Sequence, residues 1–477
     1  MQIRKISLIT ILLLVAAIAD AFGNENKSAA GLPNVILIVA DDLGYGDLSC
    51  YGQKKFQTPE IDKLAAEGMQ FSQHYAGAPV CAPSRSALLT ARHTGHTTIR
   101  GNKKVNKYGD FPLSATDTIL PQLFKENGYT TAMFGKWGLG YPGSSGDVSQ
   151  KGFDSFFGYY GHLAAHNYHP EKLYFNNEPV AIPQNKKYSN QVYAPAMIHD
   201  SVLAFMERNS HHPFLLYIPT VIPHAELAAP SVYLQEQLNK YGTEHPYKGI
   251  KTLRFATKFG AYDAQRSPKA AFAAMLQILD KQVGEIVASL KQKGIYENTI
   301  IIITSDNGPH KEGGAQPDYF NSNAGLRGYK RDLYEGGIRV PLIVHWPEKI
   351  KPGKSNLISA NWDLMPTLAD IIQAKMPAHT DGVSLLPTLL QLPEKQVQHS
   401  YLYWEFHEQG GKQAIRMNQW KAVVLNAKHP RRAKFELYNL QEDPSEKADV
   451  SATYPQIVEM LKKLILQANI PSPDFPF

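Results

Sequence analysis

Cysteine is nearly absent: the 477 residues contain two, Cys50 and Cys81, so a disulfide scaffold is excluded and a single Cys50–Cys81 bridge is the most that could form. Zinc-finger spacings, basic helices and RNA-binding aromatic pairs are also missing, which excludes the common nucleic-acid modules. No disorder-like block, internal repeat or low-complexity segment interrupts the chain. At 43% hydrophobic and 19% charged residues it reads as globular material, long enough for one large domain and one small one.

The N-terminus carries Arg4 and Lys5, an apolar run from Ser7 to Ala19, and the small-x-small site Ala19-Asp20-Ala21. This is the pattern of a secretory signal peptide over residues 1–21, with an apolar core too short for a membrane span. No cysteine ends the segment, so no lipoprotein anchor is indicated. The expectation is a periplasmic or secreted protein without a stable membrane anchor. Removing Arg4, Lys5 and Asp20, a net +1, takes the formal charge from +6 to about +5, a modest excess that would help to steer a polyanion.

Asn34–Ala40 is a continuous apolar, β-branched run ending in Asp41-Asp42, as expected of a parallel strand buried on both faces. Asn298–Ser305 repeats the design and ends in Asp306-Asn307. Segments 129–134, 214–218 and 340–344 fit the same sheet, and amphipathic stretches at 59–67, 121–127, 269–290 and 363–372 read as helices covering it. The expected class is α/β, a large mostly parallel sheet flanked by helices. After about residue 391, short runs at 401–406, 420–425 and 435–440 precede an amphipathic stretch at 455–468, which predicts a small antiparallel sheet packed by one helix. The expected domains are therefore 22–390 and 391–477.

Two buried strands would deliver two acidic clusters to the carboxyl edge of the sheet, where ligands of open α/β folds bind. Asp41, Asp42, Asp306 and Asn307 offer only oxygen, which suits Ca²⁺ or Mg²⁺ rather than zinc. Taken singly, either pair also reads as a helix cap or a turn. In Val80-Cys81-Ala82-Pro83-Ser84-Arg85, Pro83 suits the first turn of a helix and places Cys81 at its N-terminus. Backbone N–H groups there, with the Arg85 fork one turn on, favour an oxyanion such as sulfate or phosphate.

Six motifs stand in a fixed order: Ala40-Asp41-Asp42-Leu43-Gly44-Tyr45-Gly46-Asp47, Cys81-Ala82-Pro83-Ser84-Arg85, Gly135-Lys136-Trp137, Pro223-His224, Ser305-Asp306-Asn307-Gly308 and Lys330–Gly337. In these, from Asn34 to about Leu466, the chain resembles the type I, formylglycine-dependent sulfatases of the alkaline phosphatase superfamily. The resemblance implies a mixed, alkaline phosphatase-like sheet and a formylglycine made from Cys81 by a formylglycine-generating maturation enzyme. It further implies one divalent cation, usually Ca²⁺, held by Asp41, Asp42, Asp306, Asn307 and the modified Cys81, with Arg85, Lys136, His224 and Lys330 contacting the sulfate or leaving group. His224 is the expected general acid, and a sulfated carbohydrate the expected substrate. Two positions depart from the family pattern. Gly138 stands where many members carry histidine, so that either His162, His166 or His169 substitutes or the substrate does not require that donor, and Ala82 stands where serine or threonine is common. Trp404, Glu405 and His407 either line the substrate side or belong to the core. The competing readings are a phosphoester or phosphonate hydrolase of the same superfamily and an inactive glycan-binding homologue in which Cys81 stays a thiol or pairs with Cys50.

Overall fold

The computed structural model describes residues 31–105, 109–249 and 262–477; the expected signal peptide lies outside them. From Pro33 to Phe477 the chain forms one compact unit. Its strands are, in chain order, β1 (Asn34–Ala40), β2 (Met69–Phe71), β3 (His74–Tyr75), β4 (Thr130–Lys136), β5 (Ser155–Tyr159), β6 (Lys172–Phe175), β7 (Glu178–Ala181) and β8 (Phe214–Pro219). They continue as β9 (Thr299–Ser305), β10 (Leu342–His345), β11 (Gly353–Ser355), β12 (Ser359–Ala360), β13 (Leu402–Phe406), β14 (Lys412–Met417), β15 (Trp420–Leu425) and β16 (Lys434–Asn439).

Ten of these build one sheet in the order β11-β2-β10-β9-β1-β8-β4-β5-β6-β7. The centre, β9-β1-β8-β4-β5, is parallel, whereas β10, β6 and β7 join antiparallel. The sheet is thus mixed and mostly parallel. All seven residues of β1 and all seven of β9 are buried, which explains why both strands are apolar without alternation. Helices Pro59–Glu67, Ala194–Asn209 and Pro268–Gln292 pack their apolar stripes on the sheet, joining Ile61, Val202 and Leu276 to Ile36, Ile301 and Leu216 in one core.

The C-terminal strands form an antiparallel sheet in the order β13-β14-β15-β16. Period-two alternation splits its side chains between two cores. Trp404, Ala414, Val423 and Tyr438 pack on Tyr75, Trp362 and Tyr334 of the main body, whereas Tyr403, Ile415, Ala422 and Leu437 are covered by Val458, Leu461 and Ile465 of helix Pro455–Ala468. Trp404 and Glu405 have no solvent exposure, so they belong to the core rather than to a substrate surface. An ionic plug crosses the first of these interfaces. Lys421 on β15 lies 2.9 Å from both Glu335 and Glu446, all three essentially without exposure, and Tyr75 OH donates to Glu335 over 2.6 Å.

Candidate active site

Parallel pairing sets the site. Ala40 stands opposite Ser305, so β1 and β9 end side by side and release Asp41-Asp42 and Asp306-Asn307 at the same edge. The loops are tied at once: Asp42 N–H donates to Asp306 Oδ1 (3.1 Å) and Leu43 N–H to Ser305 Oγ (3.0 Å). Strand β4 ends in Lys136 and the chain beyond β8 leads to His224, so four parallel strands feed one crevice.

Cys81 opens helix Cys81–Thr90, whose ten residues are all buried. Both cysteines are free thiols, which removes the Cys50–Cys81 bridge as an explanation of Cys81. Burial pushes the Cys81 thiol up against the pull of Lys136, with Asp41, Lys330 and Asp306 among the charges it feels. Unmodified, it is therefore a poor thiolate nucleophile.

Arg85 Nε donates to Asp306 Oδ2 (2.9 Å), Nη2 lies 3.3 Å from Asp41 Oδ2, and Nη1 donates to the Lys136 carbonyl (2.6 Å). Its fork thus braces the carboxylates from behind. Lys136 Nζ reaches Asp41 Oδ2 (2.7 Å). Lys330 Nζ donates to Asp42 Oδ2 (2.9 Å) and to His224 Nε2 (2.9 Å), while His224 Nδ1 faces the Ala225 carbonyl. Burial, reinforced by the Lys330 ammonium, holds His224 well below the ordinary imidazole value, so the ring is neutral and accepts from Lys330. Asn307 Nδ2 donates to Asp42 Oδ1 (2.6 Å). All nine residues singled out in the sequence meet here.

Two buried oxygens of the site, Asp41 Oδ1 and Asn307 Oδ1, have no hydrogen-bond partner among the described residues. Burial and the facing Asp41 push Asp306 up to about 7, the mark of carboxylates crowded together. Unsatisfied hard oxygen donors and like-charge crowding are what a divalent cation relieves, so the donor set fits Ca²⁺. A second cluster of potential ligands, His93, His96 and Asp381, reads differently. His93 Nδ1 accepts the Gly95 N–H (3.1 Å), which puts the ring proton on Nε2, facing Asp381 rather than a metal.

Gly138 has φ +72°, a left-handed conformation that disfavours a side chain. Of the three candidate replacements, His162 lies nearest: its Cβ is 4.0 Å from where a Cβ on Gly138 would stand, its backbone N–H donates to Asp110 Oδ2 (2.8 Å), and its ring Nδ1 lies beside the same carboxylate. His166 instead stacks on His224 (centroids 4.7 Å apart) and His169 packs on Tyr193 (5.7 Å). Several residues at the site escaped the motifs. Asn102 lies with Nδ2 3.9 Å from Cys81 Sγ and accepts the Ala82 N–H. Glu312 lies 3.3 Å from Lys330 and accepts from Tyr262 OH (2.7 Å). Glu312 follows Asp306 in sequence by six residues, and its place in the loop after β9 was the one available signal.

The sulfatase family model matches residues 33–374, and that of the N-sulphoglucosamine sulphohydrolase C-terminal region matches 327–470. The chain belongs to the sulfatase family. It is a sulfuric ester hydrolase of the alkaline phosphatase superfamily. It is 30% identical to human arylsulfatase A over 93% of this chain and 90% of that one, and 28% identical to an N-acetylgalactosamine-6-O-sulfatase of Bacteroides thetaiotaomicron over 92% and 94%. Among solved structures, Ps i-CgsB in complex with k-i-k-neocarrahexaose superposes with a TM-score of 0.74 at 28% identity, covering 92% of this chain and 93% of the other.

Proposed function

We propose that this sulfatase is exported by the leader at residues 1–21 and hydrolyses sulfate esters of a carbohydrate, with Cys81 matured to formylglycine by a formylglycine-generating enzyme and one Ca²⁺ bound. The observation that carries the reading is the pair of orphaned oxygens on Asp41 and Asn307 in a buried acidic cluster beside a free cysteine at a helix N-terminus. As a hydrated formylglycine, residue 81 supplies two hydroxyls on one carbon, one to attack sulfur and one to expel sulfate with return of the aldehyde. Asp41, Asp42, Asp306 and Asn307 would hold the cation, which lowers the pKa of the attacking hydroxyl and offsets charge on the sulfuryl group.

The other residues take roles that follow from their partners. Lys136 and Lys330 bring ammonium groups to the sulfuryl oxygens as negative charge gathers there. Arg85 adds positive charge but spends most of its fork on Asp306, Asp41 and the Lys136 carbonyl, so it positions the cluster as much as it contacts sulfate. His224 is neutral with Nε2 accepting from Lys330, so it can serve as general acid only once protonated at Nε2, a state that an anionic sulfate ester bound beside it and competing for the Lys330 ammonium favours; the proton then passes from Nε2 to the leaving oxygen. His162, oriented by Asp110, takes the place left by Gly138.

Relatives named for N-acetylgalactosamine sulfate and bound to neocarrahexaose support a carbohydrate substrate. The phosphoester reading is weaker. Two-metal phosphatases clamp the ester between cations about 3.5–4 Å apart, whereas here the Lys330 ammonium fills the space among Asp42, His224 and Glu312. Peptide mass spectrometry across Ala78–Arg85 should find the Cys81 thiol replaced by an aldehyde, and Cys81→Ala should cut sulfate release below about one-thousandth of wild type. Wild-type turnover from protein carrying an intact thiol would end the reading.

A further inference from the structure

A line of alternating charge runs from the buried centre to the surface. Asp42 pairs with Lys330 (2.9 Å), Lys330 with Glu312 (3.3 Å), Glu312 with Arg331, and Arg331 with Glu408 (3.9 Å). Side-chain exposure rises along it from 0% at Asp42 through 4%, 21% and 34% to 41% at Glu408, so the line leads outward from the reacting centre. Arg331 is the residue after Lys330 and has φ +77°, a conformation that a non-glycine residue rarely adopts. Its backbone is clamped on both sides: its N–H donates to the Pro79 carbonyl (2.9 Å), and its own carbonyl accepts from Lys412 Nζ (2.8 Å). An exposed ion pair is a weak reason to hold such a backbone. Aiming a guanidinium at the mouth of the site is a better one.

Resting on the carbohydrate reading above, we propose that Glu312 and Arg331 form the specificity subsite for the leaving sugar and bind the free hydroxyl nearest the sulfated carbon. A hydroxyl both donates and accepts, and this pair offers both complements. Glu312 has about four lone-pair positions, of which Tyr262 OH, Lys330 and Arg331 take three. Among the described residues, Arg331 turns Nη1 to Glu312 and Nε towards Glu408, leaving Nη2 to donate. A second sulfate or a uronate is a poor guest, because Glu312 and Glu408 flank the guanidinium on both sides. Lys330 faces the ester, so its sequence neighbour Arg331 and its ion-pair partner Glu312 fall one sugar position outward.

The test is a cycle between substrate and protein. Galactose 3-, 4- and 6-monosulfates are assayed, and for the fastest the analogue with its nearest free hydroxyl replaced by hydrogen is prepared. Wild type should lose at least about a hundredfold in kcat/KM on the deoxy analogue, since a site built to bond a hydroxyl strongly rejects its absence. Glu312→Gln and Arg331→Met should each lose about tenfold or more on the hydroxylated substrate, but less than about threefold on the deoxy one. Equal losses on both would overturn the subsite, leaving Glu312 as a prop for Lys330. Hydrolysis of an aryl sulfate with none of the galactose sulfates, nor any N-acetylgalactosamine or glucosamine monosulfate, cleaved would instead end the carbohydrate reading on which the subsite rests, while leaving the sulfatase chemistry intact.

Discussion

Lys421→Met tests whether the C-terminal sheet is held by charge. The lysine is buried and lies 2.9 Å from each of two buried glutamates, Glu335 and Glu446. Despite its burial, Glu335 is held down to about 2 by Lys421, Arg416 and Arg339, whereas burial and the facing Glu335 push Glu446 up to about 7. Methionine preserves the apolar stem but strands the carboxylates, and removing one partner of a buried pair costs about 3–5 kcal/mol. With about 2.1 cal/mol/K per residue of unfolding entropy over the roughly 450 residues of the compact unit, that loss lowers the Tm by about 3–5 °C. The sign of the pH dependence follows. Glu446 ionises near pH 4.5 in the unfolded chain and at about 7 in the folded one, and loss of the Lys421 charge raises it further. Between about pH 4.5 and 7 the folded state therefore binds the extra proton at Glu446 and that contribution to stability falls as pH rises, whereas Glu335, held down to about 2, is ionised throughout the window in the wild type. The variant's deficit should therefore shrink from pH 8 to pH 5, and adding Glu446→Gln should recover much of it. Calorimetry at both pH values measures this. A Lys421→Met variant within about 1 kcal/mol of wild type at pH 8 would refute the account.

Two predictions concern the chemistry. Asp41→Ala, Asp42→Ala and Asp306→Ala should each lose activity together with bound Ca²⁺, whereas Asn307→Asp, which keeps an oxygen in place, should be milder; stoichiometric zinc by elemental analysis, or full activity after exhaustive chelation, would contradict the assignment. His224→Ala should slow a sugar sulfate at least about tenfold more than an activated aryl sulfate in kcat/KM, or about 1.4 kcal/mol of differential stabilisation, because a phenolate leaves without a proton. Equal losses would mean that His224 binds sulfate and that Lys330 alone delivers the proton.

The buried parallel strands were legible because burial on both faces writes itself as an unbroken apolar run, and their acidic ends followed from chain direction. Helices Pro59–Glu67 and Pro455–Ala468 have the expected bounds, since proline opens each and the apolar stripe is regular. Strands β2, β3, β5, β6, β7, β11, β12 and β14 were not legible, β3 and β12 being two residues long and β5 only five. β2 and β11 are three residues long, and β6 and β7 lie at the sheet edge, half polar and half exposed. Lys412–Met417 carries Lys412 and Arg416 inside the fold, Lys412 paired with Asp332 and Arg416 donating to Tyr75 OH and Gln73, partners distant in sequence. The same blindness hid Glu312 and the Lys421 plug, because a lone charged residue looks like solvent-facing surface until its partner is placed beside it.

The complete burial of helix Cys81–Thr90 fixes an order of events. Cys81 is 3% exposed, the helix is enclosed on every side, and Tyr75, Val80 and Ala87 around it pack against the C-terminal sheet. An enzyme that modifies the Cys81 thiol needs access to it that the buried helix of the finished structure does not offer. The time available closes when β13–β16 dock, and those strands are synthesised long after residue 81. Under the proposed maturation, folding is thus the clock: a chain that collapses early would be sealed as an intact thiol, and slowing the docking of the C-terminal sheet would lengthen the interval in which residue 81 can be reached.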